Sequence, residues 1–269
     1  MPYPDNLKFA YKAETICRSI GVVPATICVI NGKICVGTTA EQLGFISINK
    51  KVNKISRRDL GVAVAKNWSG GTTVSATMQI SNSLGIKVFS TGGIGGVHRG
   101  FNKTIDVSQD ILALKETPIV VVSSGAKAIL DIKKTVEALE TNGVVVLGYG
   151  IKTFSAFYSR ETGFPIQKVN SVKTIINVFK NHLSFGYNSS VLISNPIPKK
   201  TQIMPSEIKT KIKAALKKAR FLKISGKDLT PFLLNELFVA TKGQTLAANK
   251  SLAINNVKLG AKIALGLSA

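Results

Sequence analysis

Short continuous apolar runs alternate along this chain with segments whose apolar residues recur at helical spacing. The runs cover residues 86–90, 118–122, 143–147 and 190–194. Runs of this length are typical of parallel strands that are covered on both faces. The intervening pattern predicts helices over residues 72–84, 128–141 and 172–182. The alternation predicts an α/β protein, a layered α/β/α domain with a mainly parallel or mixed central sheet and helices on both faces. We expect residues 1–269 to form one such domain.

Small, polar and turn-forming residues follow three of these predicted strands, at positions 91–96, 123–127 and 195–198. Ligands of open α/β sheets bind at the carboxyl ends of the strands. We therefore expect a pocket where these three segments meet.

The chain becomes helical and strongly basic from Pro205 onward. Residues 199–227 contain ten Lys or Arg and a single acid, Glu207. One apolar stripe runs through this segment, formed by Ile208, Ile212, Ala215, Leu216, Ala219 and Leu222. The basic face is either a solvated lysine surface or a docking surface for RNA or an acidic partner. A last helix over residues 246–265 would place Asn249 and Asn256 on one face.

A hairpin is predicted around Asn31-Gly32, a dipeptide that favours type I′ turns. A two-residue loop would set Cys28 opposite Cys35 at a separation that permits a disulfide. The chain has three cysteines and no CxxC pair, so we expect thiols rather than a bridge or a thiolate metal site.

Composition narrows the class of protein. An apolar fraction of 45% excludes a disordered basic tail. No apolar run reaches the roughly 18–20 residues that span a bilayer, and the first residues lack a secretory profile. We therefore expect a soluble cytoplasmic protein without membrane contact.

The charge has two explanations. The 36 basic and 14 acidic side chains give 36 − 14 = +22, which suggests nucleic acid as a partner. Aromatic residues, which would supply stacking platforms, make up only 7% of the chain. A phosphorylated small substrate explains part of the charge equally well, so nucleic acid is the less favoured partner.

The glycine-rich motif at residues 91–100, TGGIGGVHRG, is the most unusual stretch. It does not match G-x-G-x-x-G, because His98 stands at the third glycine position, and it does not match the Walker pattern, because Phe101-Asn102 follows. Two interpretations remain: a backbone that approaches a ligand closely beside the Arg99 cation, or a turn that needs glycine only for packing.

Metal and histidine chemistry have few candidate residues. His98 and His182 are the two histidines of the chain, so a Ser-His-Asp triad or a histidine-rich zinc site has few ways to form. A metal would be bound by carboxylate and water, which suits Mg²⁺ or Mn²⁺. Asp106 and Asp110 stand out here, although they could equally be a capping or solvated pair.

Lys127 follows the apolar run 118–122 and a turn of small residues. Burial at the mouth of a strand disfavours a charged amine and lowers its pKa, and a neighbouring cation adds to the effect. Such a lysine can form a Schiff base with a carbonyl, although many lysines at such positions are simply exposed.

Several motifs together resemble one family, the pseudouridine-5′-phosphate glycosidases, also called the indigoidine synthase A family. They are VPATI at 23–27, KISRRDL at 54–60, GTTV at 71–74, STGGIGGVHRG at 90–100, GAKAILD at 125–131 and FSAFYSR at 154–160. The resemblance continues through NPIP at 195–198 and TPFLL at 230–234 to residues 255–256, and so covers nearly the whole chain.

The resemblance implies an enzyme, pseudouridylate synthase, that reversibly cleaves pseudouridine 5′-phosphate to uracil and ribose 5-phosphate with Mn²⁺ bound. By similarity Lys127 is the nucleophile that forms the imine, and Asp106 is the metal-associated carboxylate. The substrate contacts implied are Lys54, Val74, Ser108, Gln109, Asp110 and Asn249. Gln109 stands where the family usually has alanine. The resemblance also implies a homotrimer.

The resemblance further implies a proton donor, a glutamate on a strand ending in Glu-Ser-Thr just before the segment that matches Met1. We expect the natural protein to be longer and active, and the 269-residue form to be impaired. An alternative function is a catalytically impaired relative that binds a nucleotide or RNA through its basic surface.

Overall fold

The computed structural model of this protein describes residues 1–99, 105–224 and 229–268. Gly100, Phe101 and Asn102 of the glycine-rich region and Lys227 of the basic segment lie outside the described residues. The helices are α1 Asp5–Ser19, α2 Ala40–Ile48, α3 Leu60–Ala65, α4 Val74–Ser83, α5 Gln109–Glu116, α6 Ile132–Thr141, α7 Val172–Ser184, α8 Pro205–Phe221, α9 Leu229–Ala240 and α10 Gln244–Ser268. The strands are β1 Ile27–Ile30, β2 Lys33–Val36, β3 Asn53–Ile55, β4 Gly70–Thr72, β5 Val88–Ser90, β6 Val120–Ser123, β7 Val145–Tyr149, β8 Gln167–Val169 and β9 Val191–Ser194.

A five-stranded sheet forms the centre of the fold, in the order β5-β6-β9-β7-β8. Every neighbouring pair in it is parallel. Four of its strands are the apolar runs predicted from the sequence, and the α/β class is confirmed. The fifth strand, β8, was not predicted, because Gln167-Lys168-Val169 contains no apolar run.

The central sheet is covered on both faces, as its continuous apolar strands require. Val121 points into a cluster with residues of α4, α5, α6 and α8, whereas Val120 and Val122 point into a second cluster with Ile175 and Phe179 of α7. All five side chains are 2% exposed or less. This alternation across successive strand residues is what makes the domain an α/β/α sandwich.

The first four strands form a second, smaller sheet in the order β2-β1-β4-β3. It is mixed, since β1 pairs antiparallel with β2 and β4 while β3 pairs parallel with β4. Only its hairpin was predicted. The three-residue strands β3 and β4 carry no apolar alternation, and a Cβ on Gly70 would overlap the carbonyl of Asn53.

The predicted hairpin is confirmed. Asn31 and Gly32 have φ of 47° and 74°, as a type I′ turn demands. Cys28 pairs with Cys35 in register, and all three cysteines are free thiols. Burial raises the pKa of Cys28 to about 12.

The helix predicted over residues 128–141 begins later, at Ile132. The prediction of its start was wrong because Asp131 caps the helix by accepting a hydrogen bond from the backbone of Lys134 at 3.2 Å. The three residues between Lys127 and this cap, Ala128, Ile129 and Leu130, therefore continue the loop that carries Lys127.

The basic helix α8 buries the predicted apolar stripe at Ile208, Ile212, Ala215 and Ala219. Leu222 departs from the prediction, since it follows the last helical residue and is 48% exposed. In the described part of the chain, no helix combines the length and apolar character that crossing a membrane requires.

Candidate active site

Two loops run side by side at the carboxyl ends of β5 and β6. The glycine-rich motif follows β5, and the loop carrying Lys127 follows β6. The backbone of Ile94 donates to Gly125 at 3.0 Å, and the backbone of Lys127 donates to Ile94 at 3.1 Å. These hydrogen bonds fix Lys127 against the glycine-rich motif, as the carboxyl-end argument predicts.

The glycines of the motif allow side chains to approach its backbone. A Cβ on Gly93 would meet the Phe157 ring, and a Cβ on Gly96 would overlap the side chain of Thr135. A Cβ on Gly95 would overlap Ser108. Of the two interpretations of the motif, packing therefore accounts for these three glycines.

Gly125 is required for a different reason. Its φ is +71°, and a Cβ there would also overlap the carbonyl of Ser155. A residue with a side chain would therefore displace the loop that places Lys127.

Asp110 contacts the backbone of the glycine-rich motif and is 4% exposed. One carboxylate oxygen accepts from the backbone of Ser75 at 3.0 Å, and the other accepts from the backbone of Gly95 at 2.7 Å. The buried negative charge thus holds the start of α4, the start of α5 and the glycine-rich motif together.

Lys127 is partly buried, and its pKa is lowered. Burial of the amine is the main cause, the Asp110 carboxylate opposes it, and the Lys54 ammonium adds to the lowering. This is the direction expected from the sequence. A larger fraction of the amine is consequently neutral near pH 7 than for an exposed lysine.

His98 joins the same charge cluster. Its Nδ1 lies 3.9 Å from a carboxylate oxygen of Asp106, and its backbone donates to the Asp106 carbonyl at 2.9 Å. Burial lowers the pKa of His98, Asp106 opposes this, and Lys127 and Lys54 reinforce it. Sequence reasoning had no signal that would distinguish this histidine from one used only in packing.

The predicted metal residue Asp106 has a side chain that is 44% exposed. In the described residues, no group of three or more His, Cys, Asp or Glu side chains is placed to hold a metal ion. Because Asp110 already accepts two backbone hydrogen bonds, Asp106 is the carboxylate of this cluster that remains open to a hydrated cation.

The remaining predicted residues lie around the two loops. Ser108 caps α5 by accepting from the backbone of Asp110 at 3.3 Å, and Gln109 accepts from the backbone of Arg58 at 3.2 Å. Val74 is buried at the start of α4, whereas Lys54 is exposed on β3.

Asn249 and Asn256 reach the site from α10. The Asn249 amide oxygen lies against Gly92, at 3.3 Å from the position of a Cβ there. Asn256 is fully buried; its amide donates to the Thr91 carbonyl at 2.7 Å and its oxygen accepts from Asn195 at 3.0 Å. The prediction that both asparagines share one face is confirmed, and Asn256 ties α10 to the carboxyl ends of β5 and β9.

A cavity of about 690 Å³ extends from the motif along the outer edge of β5. Thr91, Gly92 and Val74 line its inner end. Of the predicted site residues, all of them described, only Val74 lines it. The charge cluster around Lys127 therefore lies beside this cavity rather than inside it.

Known proteins resemble the chain over nearly its whole length. The family described as "Indigoidine synthase A like protein" matches residues 1–266. The pseudouridine-5′-phosphate glycosidase of Petrotoga mobilis is 46% identical over 265 residues, which cover 98% of this chain and 87% of that protein. The protein of the same name from Brachyspira hyodysenteriae is 45% identical, covering 100% and 87%.

Two solved structures resemble the fold. The prealnumycin C-glycosynthase AlnA, in complex with ribulose 5-phosphate, superimposes with a TM-score of 0.93 at 34% identity, covering 99% of this chain and 88% of that one. An indigoidine synthase A-like protein from Thermotoga maritima gives a TM-score of 0.94 at 33% identity, covering 100% and 89%. With the family match over residues 1–266, these likenesses show that the chain belongs to the indigoidine synthase A-like family, whose curated relatives are named as enzymes.

Proposed function

We propose that this protein reversibly cleaves the C–C glycosidic bond of pseudouridine 5′-phosphate, giving uracil and ribose 5-phosphate through an imine on Lys127. The names of its relatives support the class of reaction. The single observation that carries the mechanism is the amine of Lys127, partly buried with a lowered pKa at the carboxyl end of β6.

A C–C glycosidic bond explains why an amine is needed. Ordinary glycosidases protonate an oxygen leaving group on the sugar. Pseudouridine has carbon at that position, so protonation of a leaving heteroatom does not open the bond. An amine bonded to C1′ donates its lone pair to C1′ as the bond to uracil breaks, and it regains that pair when the imine is hydrolysed. One difficult step is thereby divided into easier ones.

The reaction begins with a covalent bond between Lys127 and the sugar. The neutral Nζ of Lys127 attacks C1′, and the bond between C1′ and the ring oxygen breaks. The ring oxygen takes a proton, and the nitrogen, positively charged after the attack, loses one and regains its lone pair. The nitrogen lone pair then forms C1′=N while the bond from C1′ to uracil C5 breaks, and C5 takes a proton from a general acid. Water hydrolyses the imine, which releases ribose 5-phosphate and restores the amine.

Surrounding charges fit a phosphorylated substrate. Lys54 is exposed near Lys127, so it can bind a phosphate and also keep the pKa of Lys127 low. The hydroxyl of Ser108 and the amide of Asn249 lie at the glycine-rich motif, where they can orient the sugar. The Asp110 carboxylate offsets part of the positive charge at Lys127.

We propose that Mn²⁺ binds at Asp106, with water and substrate oxygens completing its coordination. An exposed carboxylate and a nearby imidazole suit a cation that keeps part of its water shell. When bound, the ion would neutralise negative charge on the substrate.

Borohydride trapping with ribose 5-phosphate tests the proposal directly, because imine formation with this aldehyde needs only the amine and does not need uracil to leave. We expect a reduced adduct of one sugar phosphate per chain, located at Lys127 by peptide mass spectrometry. Lys127→Ala should abolish the adduct and uracil release. The matched control Lys133→Ala removes a lysine that is 69% exposed on α6, and should leave both unchanged. An adduct that persists in Lys127→Ala refutes the mechanism.

The homotrimer is likewise a proposal, checked by light scattering on the purified protein. Among the described residues, the basic face of α8 includes ion pairs of Lys211 with Glu207 and of Lys218 with Glu236. RNA binding by that face remains a prediction from the sequence alone.

A further inference from the structure

We propose that a second cavity, between α1 and α10, binds a small diphosphate anion, either free pyrophosphate or the diphosphate of a nucleotide. The cavity has a volume of about 490 Å³, which is in the size range of small-molecule sites. It shares no lining residue with the predicted catalytic cluster. This inference is independent of the proposed C-glycosidase function.

The lining is strongly positive. Lys8 and Lys12 come from α1, and Lys250 and Lys258 come from α10. Asp5 is the single acid among the described lining residues, and its carboxylate lies 2.8 Å from the Lys250 ammonium. Four positive charges and one negative charge leave a net charge of +3 in one concave site.

Asp5 balances only one of these four positive charges. Lys8 and Lys12 are four residues apart on α1, where like charges destabilise a helix. Both are exposed, and so is Lys258 across the cavity. A diphosphate, which carries two to three negative charges at neutral pH, matches the net charge of the site better than a single phosphate does.

The lining also includes apolar and uncharged polar groups. Phe9, Ile254 and Pro198 provide the apolar wall, and Ser251 and Asn255 the polar groups. The hydroxyl of Ser251 accepts a hydrogen bond from Thr201 at 2.7 Å, which leaves its own proton as a donor to a ligand. An apolar wall beside clustered cations suits a phosphorylated compound with a planar or apolar part.

The concave shape favours a small ligand over a polymer. A nucleic acid is bound along a stripe of cations on an open surface, whereas these lysines converge from two facing helices on a bounded space. Long lysine side chains can also close over an anion while their stems pack on the wall.

α10 separates this cavity from the catalytic cluster. Lys250, Ile254 and Lys258 recur at intervals of four and line the cavity. Asn249 and Asn256, on another face of the same helix, contact the glycine-rich motif. A diphosphate in the cavity therefore leaves Lys127 accessible.

Isothermal titration calorimetry with inorganic pyrophosphate, and separately with ADP, tests the proposal. We expect saturable binding of one anion per chain. The double variant Lys12→Gln with Lys258→Gln should weaken it about five- to tenfold, the loss expected for two ion pairs. The matched control, Lys209→Gln with Lys213→Gln, removes the same charge from the exposed face of α8 and should leave the affinity unchanged.

A third variant should raise the affinity for the anion instead of lowering it. Asp5→Asn removes the competing carboxylate and releases Lys250, so the affinity should rise about two- to threefold. Lys127→Ala should bind pyrophosphate as the unchanged protein does. ADP binding more tightly than pyrophosphate would identify a nucleotide as the ligand, and equal affinity would identify the free anion. Absence of binding for both probes, equal loss in the two double variants, or loss in Lys127→Ala overturns the proposal.

Discussion

The carboxylate of Asp110 accepts a hydrogen bond from the backbone of Gly95 at 2.7 Å, and this contact joins the start of α5 to the glycine-rich motif. The second carboxylate oxygen is held by the backbone of Ser75. Both donors point at a buried negative charge close to Lys127. Asp110 is therefore a positioning residue as well as the main opposing charge for the Lys127 ammonium.

Asp110→Asn should destabilise the protein and shift its pH dependence. An amide can place its NH₂ group against a backbone donor, which we expect to cost about 1–3 kcal/mol of unfolding free energy. Because the carboxylate raises the pKa of Lys127, its loss should lower that pKa further, and borohydride trapping should persist to lower pH. Urea unfolding and the pH profile of trapping measure the two effects. The exposed Glu137→Gln is the control, and an unchanged profile in Asp110→Asn contradicts the expectation.

Gly95→Ala should destabilise the protein by about 1–3 kcal/mol, because its Cβ would overlap the Ser108 side chain in a packed region. The midpoint of urea unfolding measures the loss. Gly44→Ala is the matched control, since a Cβ there meets nothing within 4 Å and α2 should gain up to about 1 kcal/mol from the better helix former. Equal stability in the two variants would show that the motif does not need glycine for packing.

Asn256→Leu should cost about 2–4 kcal/mol. The substitution keeps the approximate volume but leaves the Thr91 carbonyl and the Asn195 amide without their buried partner. Asn177→Leu, at an exposed position in α7, serves as the control and should change stability by less than about 0.5 kcal/mol. Chemical denaturation of both variants measures their unfolding free energies. A loss of stability in Asn256→Leu no larger than that of the control would show that these two hydrogen bonds do not stabilise the fold.

Lys127→Met should stabilise the protein at neutral pH. Burial depresses the pKa of Lys127 in the folded state below its usual value of 10.5. Between that value and the depressed pKa the unfolded chain binds a proton that the folded chain does not, so this residue makes folding less favourable as pH falls. Methionine removes the effect, so the advantage of the variant should shrink as pH rises and disappear above about pH 11.

The test is to measure the unfolding free energies of Lys127→Met and of the unchanged protein from pH 7 to pH 11. The difference between them should decrease as pH rises. Lys133→Met on the surface of α6 controls for the general loss of a lysine. An advantage that grows with pH would mean that Lys127 is charged and well paired in the fold.

Much of the central sheet could be predicted, because the information lies in neighbouring residues. The runs at β5, β6, β7 and β9 are apolar on both sides of the chain, which reflects burial on two faces. The hairpin turn at Asn31-Gly32 is similarly local, since both residues adopt positive φ at low cost.

Other parts could not be predicted, because they depend on contacts far apart in sequence. The strands β3, β4 and β8 are three residues long, and pairing partners rather than their own patterns make them strands. The proximity of His98 to Lys54 and Lys127 arises in the same way. No spacing along the chain indicates it.

The sequence by itself determined the fold class, the family motifs and the two loops at the carboxyl ends of β5 and β6. Only the tertiary structure decided that both carboxylate oxygens of Asp110 accept hydrogen bonds from the backbone. It also decided that three glycines of the motif are needed for packing and that four lysines line one cavity between α1 and α10. The physical reason is that periodicity records which face of an element is buried, whereas the charges and side chains that meet there are set by how distant elements pack.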